Sequence, residues 1–394
     1  MSDKYDCIVV GAGPSGSMAA CVLAENGVNV LVLEKHPEIG SPLSCAEAIS
    51  TSGLTSFVQV DPEWISTQVH QILVVSPSNI RMKLLHPNAG FVLNRKLFDK
   101  KLAEQAVFSG ACVKVNAQAI GLLKTKKGNF CGVGVLEDGT EKEYEAGVII
   151  GADGVESCVS RWAGTDFSLE LDQIDSCAQY LLADVEVESD CVEFYLGQTL
   201  APGGYAWVFP KGDNRANVGL SITPRLWRGK KAKEYLDEFI PKRFSNFKII
   251  ELMMGGVPCF DRKKSLVKEN VILVGDAGRV VDSLSGAGIS NALLSGKIAG
   301  SVVSQYIKNG NLPVSFLKKY HDELMQNKGG LLRFYSFCRA IFLKMTDEDF
   351  DAVISFLKRY LDEKVVTGIE PIPLIRTILR SNPRLLFLLR HLVW

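Results

Sequence analysis

Glycines in a phosphate-binding spacing are the first residues of the chain that can do chemistry. Gly11, Gly13 and Gly16 follow the apolar run 7–10 in G-x-G-x-x-G spacing, and Ser15 lies in the same turn. The three glycines permit a sharp turn, a close approach of the backbone to a pyrophosphate, and close packing of the next helix on the strand. The N-terminus of that helix offers unpaired N–H groups and the positive end of its dipole. The pattern predicts a dinucleotide site.

An acidic residue after the second predicted strand supports this interpretation. Gly27 is expected to end the helix, residues 28–33 to form the strand, and Glu34 to follow it. A carboxylate at this place accepts hydrogen bonds from ribose hydroxyls. These features together favour a bound dinucleotide over an ordinary βαβ corner without a ligand. They leave open whether the dinucleotide is FAD or NAD.

Three later stretches favour a flavin. Asp276 follows the buried run 271–274, where its carboxylate can reach a ribityl hydroxyl. Gly288 and Ile289 open a helix predicted over 289–308, and their N–H groups can face the N1–C2=O edge of a flavin, which becomes anionic on reduction. Residues 151–157 contain Gly-Ala-Asp-Gly and a serine, the mid-chain motif of flavoproteins that handle two dinucleotides. The cofactor indicated is FAD.

Composition excludes several classes of protein. The chain has 394 residues, with 44 basic and 44 acidic side chains, so its zero net charge predicts no attraction to nucleic acid. We expect neither a signal peptide nor a membrane-spanning run. Ten cysteines at least 14 residues apart and five scattered histidines form no metal-ligand pattern. Reduced thiols in a cytoplasmic protein are the expectation.

Apolar periodicity predicts the elements that must position these groups. A strand runs into a helix near residue 96, and short strands are expected at 111–115, 119–124, 132–136 and 148–150. Period-two strands are expected at 178–188, 191–196, 205–210 and 215–222. The predicted fold class is α/β (α+β): a Rossmann-type, three-layer ββα FAD-binding domain with an inserted antiparallel β-sheet substrate domain and a helical C-terminal region. The predicted boundaries are 1–65, 91–170 and 255–312 for the FAD domain, 66–90 and 171–254 for the substrate domain, and 313–394 for the helical region.

The nucleotide motifs together resemble those of the FAD-dependent hydroxylase-type flavoproteins. A narrower resemblance, over essentially the whole chain, is to the geranylgeranyl reductase family. Its marks are residues 38–42 with Cys45, the aromatic stretch 202–210 followed by Gly219, and residues 345–349 before a short amphipathic helix. The chain departs from the family pattern at Ser44, Ala46 and Ser221 and near residues 282–283.

The resemblance implies a set of FAD contacts. Ser15 is expected at the pyrophosphate and Glu34 at the ribose. The remaining contacts implied are Cys45, Ala46 and Ala48 along the flavin loop, Arg95 and Ala119 on the adenosine and pyrophosphate side, and Asp276, Gly288 and Ile289 around the ribityl chain and ring.

The resemblance also implies the reaction, which is reduction of isolated C=C bonds in geranylgeranyl chains of archaeal-type membrane lipid precursors. Because such an alkene has no carbonyl to polarise it, hydride from flavin N5 must be matched by a proton donor and close placement. Tyr205, Trp207 and Phe209 share one face of a predicted strand. This face either walls the isoprenoid or forms only the domain core. Cys45 either donates or relays a proton or is a packing residue.

Two other functions compete with this one. The fold and the mid-chain motif are shared with aromatic hydroxylases, which consume NADPH and oxygen. A prenyl-carrier protein of the Rab-escort type would have a similar fold without flavin, but the stretches at 275–276 and 286–288 argue against it. The sequence has no second G-x-G-x-x-G, so the electron donor, NAD(P)H or reduced ferredoxin, is expected to bind transiently. Residues 371–394 combine arginines with apolar residues and predict either a peripheral membrane contact or a packed helix pair.

Overall fold

The structure of the protein, a computed structural model, describes residues 3–165, 169–261 and 265–361. The chain divides into two compact units. The first unit comprises Met1–Leu43, Arg95–Leu169 and Pro258–Tyr335, and the second comprises Ser44–Asn94, Glu170–Val257 and the chain from Ser336 onward.

The strands are β1 (Asp3–Val10), β2 (Val30–Leu33), β3 (Ala48–Ser50), β4 (Ile65–Val75), β5 (Arg81–Leu93), β6 (Cys112–Lys114), β7 (Ala117–Lys124), β8 (Phe130–Glu137), β9 (Thr140–Gly151), β10 (Ile174–Ala183), β11 (Cys191–Leu196), β12 (Tyr205–Pro210), β13 (Ala216–Ile222), β14 (Lys248–Pro258), β15 (Val267–Lys268) and β16 (Val271–Leu273). The α-helices are α1 (Pro14–Glu25), α2 (Thr51–Thr55), α3 (Arg95–Phe108), α4 (Cys158–Trp162), α5 (Ala232–Arg243), α6 (Ile289–Asn309), α7 (Lys319–Leu324), α8 (Gly330–Phe342) and α9 (Asp347–Leu361).

A parallel sheet in the order β16-β9-β1-β2-β6 is the centre of the first unit, and β15 pairs antiparallel with β16. Every residue of β2 is buried, as expected for a parallel strand covered on both faces. Cys7 and Val9 of β1 pack with α1 and α6. Ile8 and Val10 pack on the other side with β7 and β8, which pair antiparallel with each other, and β8 also pairs antiparallel with β9. These three layers confirm the predicted ββα architecture.

An eight-stranded mixed sheet in the order β14-β10-β13-β12-β11-β4-β5-β3 forms the second unit. β11 and β4 run parallel, whereas β10–β13, β11–β12, β12–β13, β4–β5 and β3–β5 pair antiparallel. Helix α5 covers one face, where Leu236 and Phe239 pack with Ala206 and Val208. The opposite face carries Trp207 in a separate cluster. Alternate residues of β12 therefore lie on opposite faces of the sheet, as the period-two pattern predicted.

Most of the predicted elements are present, and β11 and β12 have the predicted bounds. The strand predicted to reach residue 188 ends at Ala183, because Asp184 adopts a left-handed φ of 57°. Only the end of β5, which runs into α3, was predicted; β4, the rest of β5, the edge strand β14 and helix α5 were not.

The two compact units also differ from the three predicted domains. Residues 44–65 belong to the second unit because β3 and β4 pair with β5. The predicted C-terminal region is divided between the units after Tyr335. The functions assigned to the domains remain predictions. The basic and apolar tail 371–394 lies outside the described residues, and within them no helix has the length and apolarity needed to cross a bilayer.

The contact between α1 and α6 gives a first testable prediction. A Cβ added at Gly296 would lie 2.2 Å from the carbonyl oxygen of Ser15, so Gly296→Ala must separate the two helices. We expect this variant to lose about 2 kcal/mol of unfolding free energy, measured by urea denaturation. Gly330→Ala is the matched control, because a Cβ there meets no heavy atom within 4 Å. Equal losses in the two variants would contradict the packing argument.

Candidate functional site

The three fingerprint glycines have different structural roles. Gly11 has a φ of 103°, and a Cβ there would lie 2.4 Å from the carbonyl oxygen of Ala152. A Cβ on Gly16 would lie 1.9 Å from the carbonyl oxygen of Gly11. Gly13, in contrast, has no heavy atom within 4 Å of an added Cβ. Gly11 and Gly16 are therefore required by packing, whereas Gly13 borders an open space.

Two helix N-termini of the first unit lack a side-chain cap. The N-cap residues are Gly13 for α1 and Gly288 for α6, and neither helix has a side-chain hydrogen bond at this end. The N–H groups of a first helical turn need partners, and an anion satisfies both them and the helix dipole. Uncapped N-termini and the open space at Gly13 fit a bound dinucleotide pyrophosphate.

Glu34 lies where the sequence predicts the ribose acceptor, and both of its carboxylate oxygens accept hydrogen bonds from the protein itself. Its Oε2 accepts a hydrogen bond from the N–H of Ala12 at 3.0 Å. Its Oε1 accepts from the N–H of His36 at 3.0 Å and lies 2.8 Å from the Nδ1 of the same residue. These bonds orient the carboxylate at the end of β2. Its contact with a ribose remains a prediction.

The Gly275-Asp276 turn packs directly on the start of α1. A Cβ on Gly275, whose φ is 56°, would lie 2.7 Å from the Oγ of Ser15. The N–H of Gly275 donates to the Oγ of Ser295 at 3.0 Å, which ties the turn to α6. Oδ1 of Asp276 would lie 3.4 Å from a Cβ on Gly288. The first unit thus brings Ser15, Asp276 and Gly288 together, as the predicted FAD site requires.

Burial raises the pKa of Asp276, and the nearby guanidinium of Arg95 lowers it. Arg95 itself forms a two-point ion pair with Asp99, with Nε–Oδ1 and Nη2–Oδ2 distances of 2.7 Å. The guanidinium is thereby held at the start of α3. The contacts of Arg95, Ala119 and Ile289 with FAD remain predictions.

The mid-chain Asp-Gly motif has a structural role in this chain. Oδ2 of Asp153 accepts hydrogen bonds from the N–H groups of Cys158 and Val159 at 2.7 and 3.0 Å, and Oδ1 accepts from the Oγ of Ser157 at 2.6 Å. The carboxylate therefore holds the start of α4. The carbonyl of the preceding Ala152 lies against Gly11.

The aromatic strip (Tyr205, Trp207 and Phe209) lies on the face of β12 opposite α5. Trp207 and Phe209 are buried and Tyr205 is half-buried. The ring of Phe194 packs against the strip through edge-on contacts with the rings of Tyr205 and Phe209, at centroid distances of 5.6 and 5.4 Å. Ala46 and Ala48 pack against the same cluster. The shared face is confirmed, and its function as an isoprenoid wall remains a prediction.

The Cys45 loop, residues 44–47, is fastened to this sheet at several points. The Nε2 of Gln179 donates to the carbonyl oxygen of Cys45 at 3.1 Å. The Sγ of Cys45 accepts from the N–H of Glu47 at 3.2 Å. Ser44, one of the departures from the family pattern, donates its hydroxyl to the carbonyl oxygen of Met254 at 3.0 Å. The loop carrying the candidate catalytic thiol is thereby held in place on the second unit.

A buried ion pair fixes the other end of the loop. Glu47 has a left-handed φ of 72°, and its Oε2 accepts from Lys211 Nζ at 2.7 Å and from Asn217 Nδ2 at 2.6 Å. Both charged side chains are almost fully enclosed. Enclosure strengthens the attraction but makes removal of either partner costly.

Sequence reasoning missed Gln179, Glu47, Lys211 and Asn217. Gln179 lies on β10, Glu47 in the Cys45 loop, Lys211 directly after β12, and Asn217 on β13. No local sequence pattern connects these four residues. The only signal available was polar residues at positions where a strand alternation predicts burial. A Cβ on Gly204 would lie 2.1 Å from the carbonyl oxygen and 2.4 Å from the Oγ of Ser221, so residue 204 must be glycine, whereas nothing in the structure explains the serine at 221, another departure from the family pattern.

Two family models match the chain. Residues 9–61 match the NAD(P)-binding Rossmann-like domain, and residues 173–257 match the geranylgeranyl reductase catalytic domain. The second match covers β10 to β13, with Gln179 and the aromatic strip, and most of β14.

Full-length relatives and solved structures agree with these matches. The chain is 40% identical over 390 residues to the digeranylgeranylglycerophospholipid reductase of Methanocella arvoryzae, covering 98% of each chain. It is 37% identical to digeranylgeranylglycerophospholipid reductase 2 of Methanococcoides burtonii, covering 99% of this chain and 96% of the relative. A geranylgeranyl bacteriochlorophyll reductase-like protein from Thermoplasma acidophilum superposes with a TM-score of 0.91 at 32% identity, covering all of both chains. The halogenase PltM, solved with phloroglucinol and FAD, shares the fold at a TM-score of 0.68 and 15% identity, covering 91% of this chain and 82% of PltM.

The open space at Gly13 gives a second prediction. Gly13 has φ −71° and ψ −177°, which alanine adopts without strain. Gly13→Ala should leave the urea unfolding of the apoprotein unchanged and weaken FAD binding about tenfold or more, because the methyl group occupies the space that suits a pyrophosphate. Fluorescence titration of the apoprotein with FAD measures the binding. Gly16→Ala should instead lose stability without FAD, and unchanged FAD affinity in Gly13→Ala would rule out a ligand at this position.

The buried ion pair gives a third prediction. Lys211→Met removes the positive partner of the Glu47 carboxylate and should cost about 3 kcal/mol of unfolding free energy in urea denaturation. The double variant Lys211→Met/Glu47→Gln should recover part of this loss, because it removes the buried charge. Lys233→Met, which breaks the exposed pair with Asp237, is the control and should change stability little. A loss in Lys211→Met no larger than in the control would contradict the argument.

Proposed function

This chain belongs to the digeranylgeranylglycerophospholipid reductase family, and we propose that it is an FAD-dependent enzyme that reduces isolated C=C bonds of geranylgeranyl chains in archaeal-type membrane lipid precursors. The observation that carries the proposal is the full-length similarity to named reductases together with a catalytic-domain match over the strands of the aromatic strip.

The first unit supplies groups that suit FAD. The uncapped starts of α1 and α6 offer N–H groups for its pyrophosphate and ring edge, and Glu34 and Asp276 offer carboxylates for its hydroxyls. When bound and reduced, FAD supplies hydride from its N5 atom. The buried Gly275–Ser295 bond keeps the Asp276 turn against α6.

The second unit supplies groups that suit an apolar chain and a proton. Each reduced double bond gains one hydride on one carbon and one proton on the other. An alkene offers no polar handle, so orientation must come from shape and from exclusion of water. The aromatic strip provides rigid apolar surface for this purpose. Cys45 is the candidate proton donor, and its alternative role is packing of the loop.

The competing functions have weaker support. The relatives with high coverage are named reductases, and likeness to the halogenases is a likeness of fold. Asp153 uses both carboxylate oxygens to hold α4, so the motif shared with hydroxylases has a structural explanation here.

Two partners complete the proposal. The electron donor is NAD(P)H or a reduced ferredoxin that binds transiently. Residues 371–394, whose arginines alternate with leucines and other apolar residues, make a peripheral contact with anionic lipid.

An anaerobic single-turnover experiment tests the function. We expect the purified protein to carry flavin, and dithionite-reduced protein to convert digeranylgeranylglyceryl phosphate into products heavier by steps of two hydrogens, with parallel reoxidation of the flavin. Mass spectrometry and absorbance follow the two changes. Bound flavin that leaves the lipid unchanged would contradict the reductase, and oxygen-dependent consumption of NADPH would then identify a hydroxylase.

Deletion of residues 383–394 tests the membrane contact. We expect the shortened enzyme to bind vesicles of anionic phospholipid less tightly in a sedimentation assay, because seven aliphatic or phenyl side chains and Trp394 are lost together with two arginines and a histidine. Its turnover of detergent-dispersed substrate should be unchanged, which serves as the control for folding. Unchanged vesicle binding would assign the tail to packing on the protein.

A further inference from the structure

We propose that Gln179 is a positioning residue that couples the aromatic strip to the Cys45 loop. This inference rests on the proposed function and deepens it, because it assigns one side chain of β10 the task of holding the indole of Trp207 and the backbone of Cys45 in a fixed arrangement.

Both polar atoms of the Gln179 side-chain amide form hydrogen bonds. Gln179 is 3% exposed. Its Oε1 accepts from the Nε1–H of Trp207 at 2.7 Å, and its Nε2 donates to the carbonyl oxygen of Cys45 at 3.1 Å. A flipped amide would place its NH₂ group against the indole N–H and its oxygen against the Cys45 carbonyl. Two unfavourable contacts therefore oppose the flip, and the amide has one orientation.

The indole is held from a second direction by Gly219. Trp207 and Gly219 are directly paired between β12 and β13. A Cβ on Gly219 would lie 2.4 Å from Cζ2 and 2.6 Å from Cε2 of Trp207. The ring therefore lies against the bare backbone of Gly219, and Gln179 fixes it at Nε1. These two contacts, at different atoms of the ring, restrict its orientation together.

The Cys45 loop has an anchor that does not involve Gln179. Glu47, Lys211 and Asn217 hold its other end through the buried ion pair. Loss of Gln179 should thus release the Cys45 carbonyl while the loop stays folded. The two anchors can be weakened separately.

The two groups joined by Gln179 have separate roles in the proposed reaction. Trp207 contributes to binding of the isoprenoid chain, and Cys45 is the candidate proton donor. Reduction of an isolated alkene requires the double bond and the proton source to be placed together, since a small displacement of either lowers the rate strongly. A residue that positions both should influence KM and kcat, whereas a purely structural residue should influence neither.

Gln179→Met is the central variant, since methionine keeps the chain length and removes both hydrogen bonds. We expect KM for digeranylgeranylglyceryl phosphate to rise about tenfold and kcat to fall about tenfold, the factor associated with loss of a buried hydrogen bond, with FAD content unchanged. In ¹⁵N spectra of the tryptophan side chains, the Trp207 signal, identified by its absence in Trp207→Phe, should move to the position of an indole N–H without a hydrogen bond.

Two variants separate the two contacts and keep the test decisive if Gln179→Met does not fold. Trp207→Phe removes the indole N–H together with part of the ring and leaves the bond from Gln179 to Cys45 in place, so KM should rise while kcat stays within about twofold of wild type. Glu47→Gln weakens only the other anchor of the loop, so kcat should fall while KM stays within the same factor.

Three results would overturn the positioning role. For Gln179→Met, they are a Trp207 signal that does not move, or a signal that moves while KM and kcat stay at their wild-type values. If Gln179→Met does not fold, a wild-type KM in Trp207→Phe is the third. A wild-type enzyme that leaves the lipid unreduced would overturn the proposed function and its dependent role for Gln179. The spectra would still decide whether the hydrogen bond exists.

Discussion

Close contact between backbones at the start of α1 is the constraint on which the first unit depends. The helix can lie against β1 and β9 only because Gly11 and Gly16 have no side chains, and α6 can lie against α1 only because Gly296 has none. This packing brings two uncapped helix N-termini and the Gly275-Asp276 turn to the same region. The region can attract a dinucleotide pyrophosphate because two helix N-termini meet there, and they can meet only where the packed residues are glycines.

The sheet of the second unit has two faces with different surroundings. Its sheet buries α5 against one face, so the residues of the opposite face are free to serve another purpose. The polar groups on that face are paired with partners rather than left alone. Gln179 satisfies Trp207 and Cys45, and Lys211 and Asn217 satisfy Glu47. Buried polar contacts of this kind give a surface a definite shape, because every alternative arrangement loses a hydrogen bond.

The sequence predicted the elements whose pattern is local. β11 and β12 alternate between apolar faces, and β1 and β2 are short apolar runs beside a glycine turn, so their residue types indicate their structure directly. Helix α5 was missed because its Pro241 and a low apolar content weaken the helical signal. β14 was missed because its run of apolar residues has no alternation, and four of its six large apolar side chains are exposed at a sheet edge.

The site shows the same division between local and distant information. The positions of Gly11, Gly13 and Gly16 could be predicted because their motif is contiguous, and that of Glu34 because it ends the next strand at a fixed spacing. The partners of the Cys45 loop could not, because they are separated from it by more than a hundred residues and meet only when the sheet has formed. Asp153 illustrates the reverse case, in which a recognised motif residue turns out to hold a helix start.

The pairing of α1 with α6 also has a consequence for biosynthesis. The fingerprint is made within the first 16 residues, but the Asp276 turn and the helix that packs on it are completed only after about residue 309. Strand β16, which extends the parallel sheet beside β9, is likewise made more than a hundred residues after its neighbour. A chain emerging from the ribosome therefore carries an unfinished first unit while the sheet of the second unit is already complete. The nucleotide site can therefore form only after the sheet of the second unit has been synthesised.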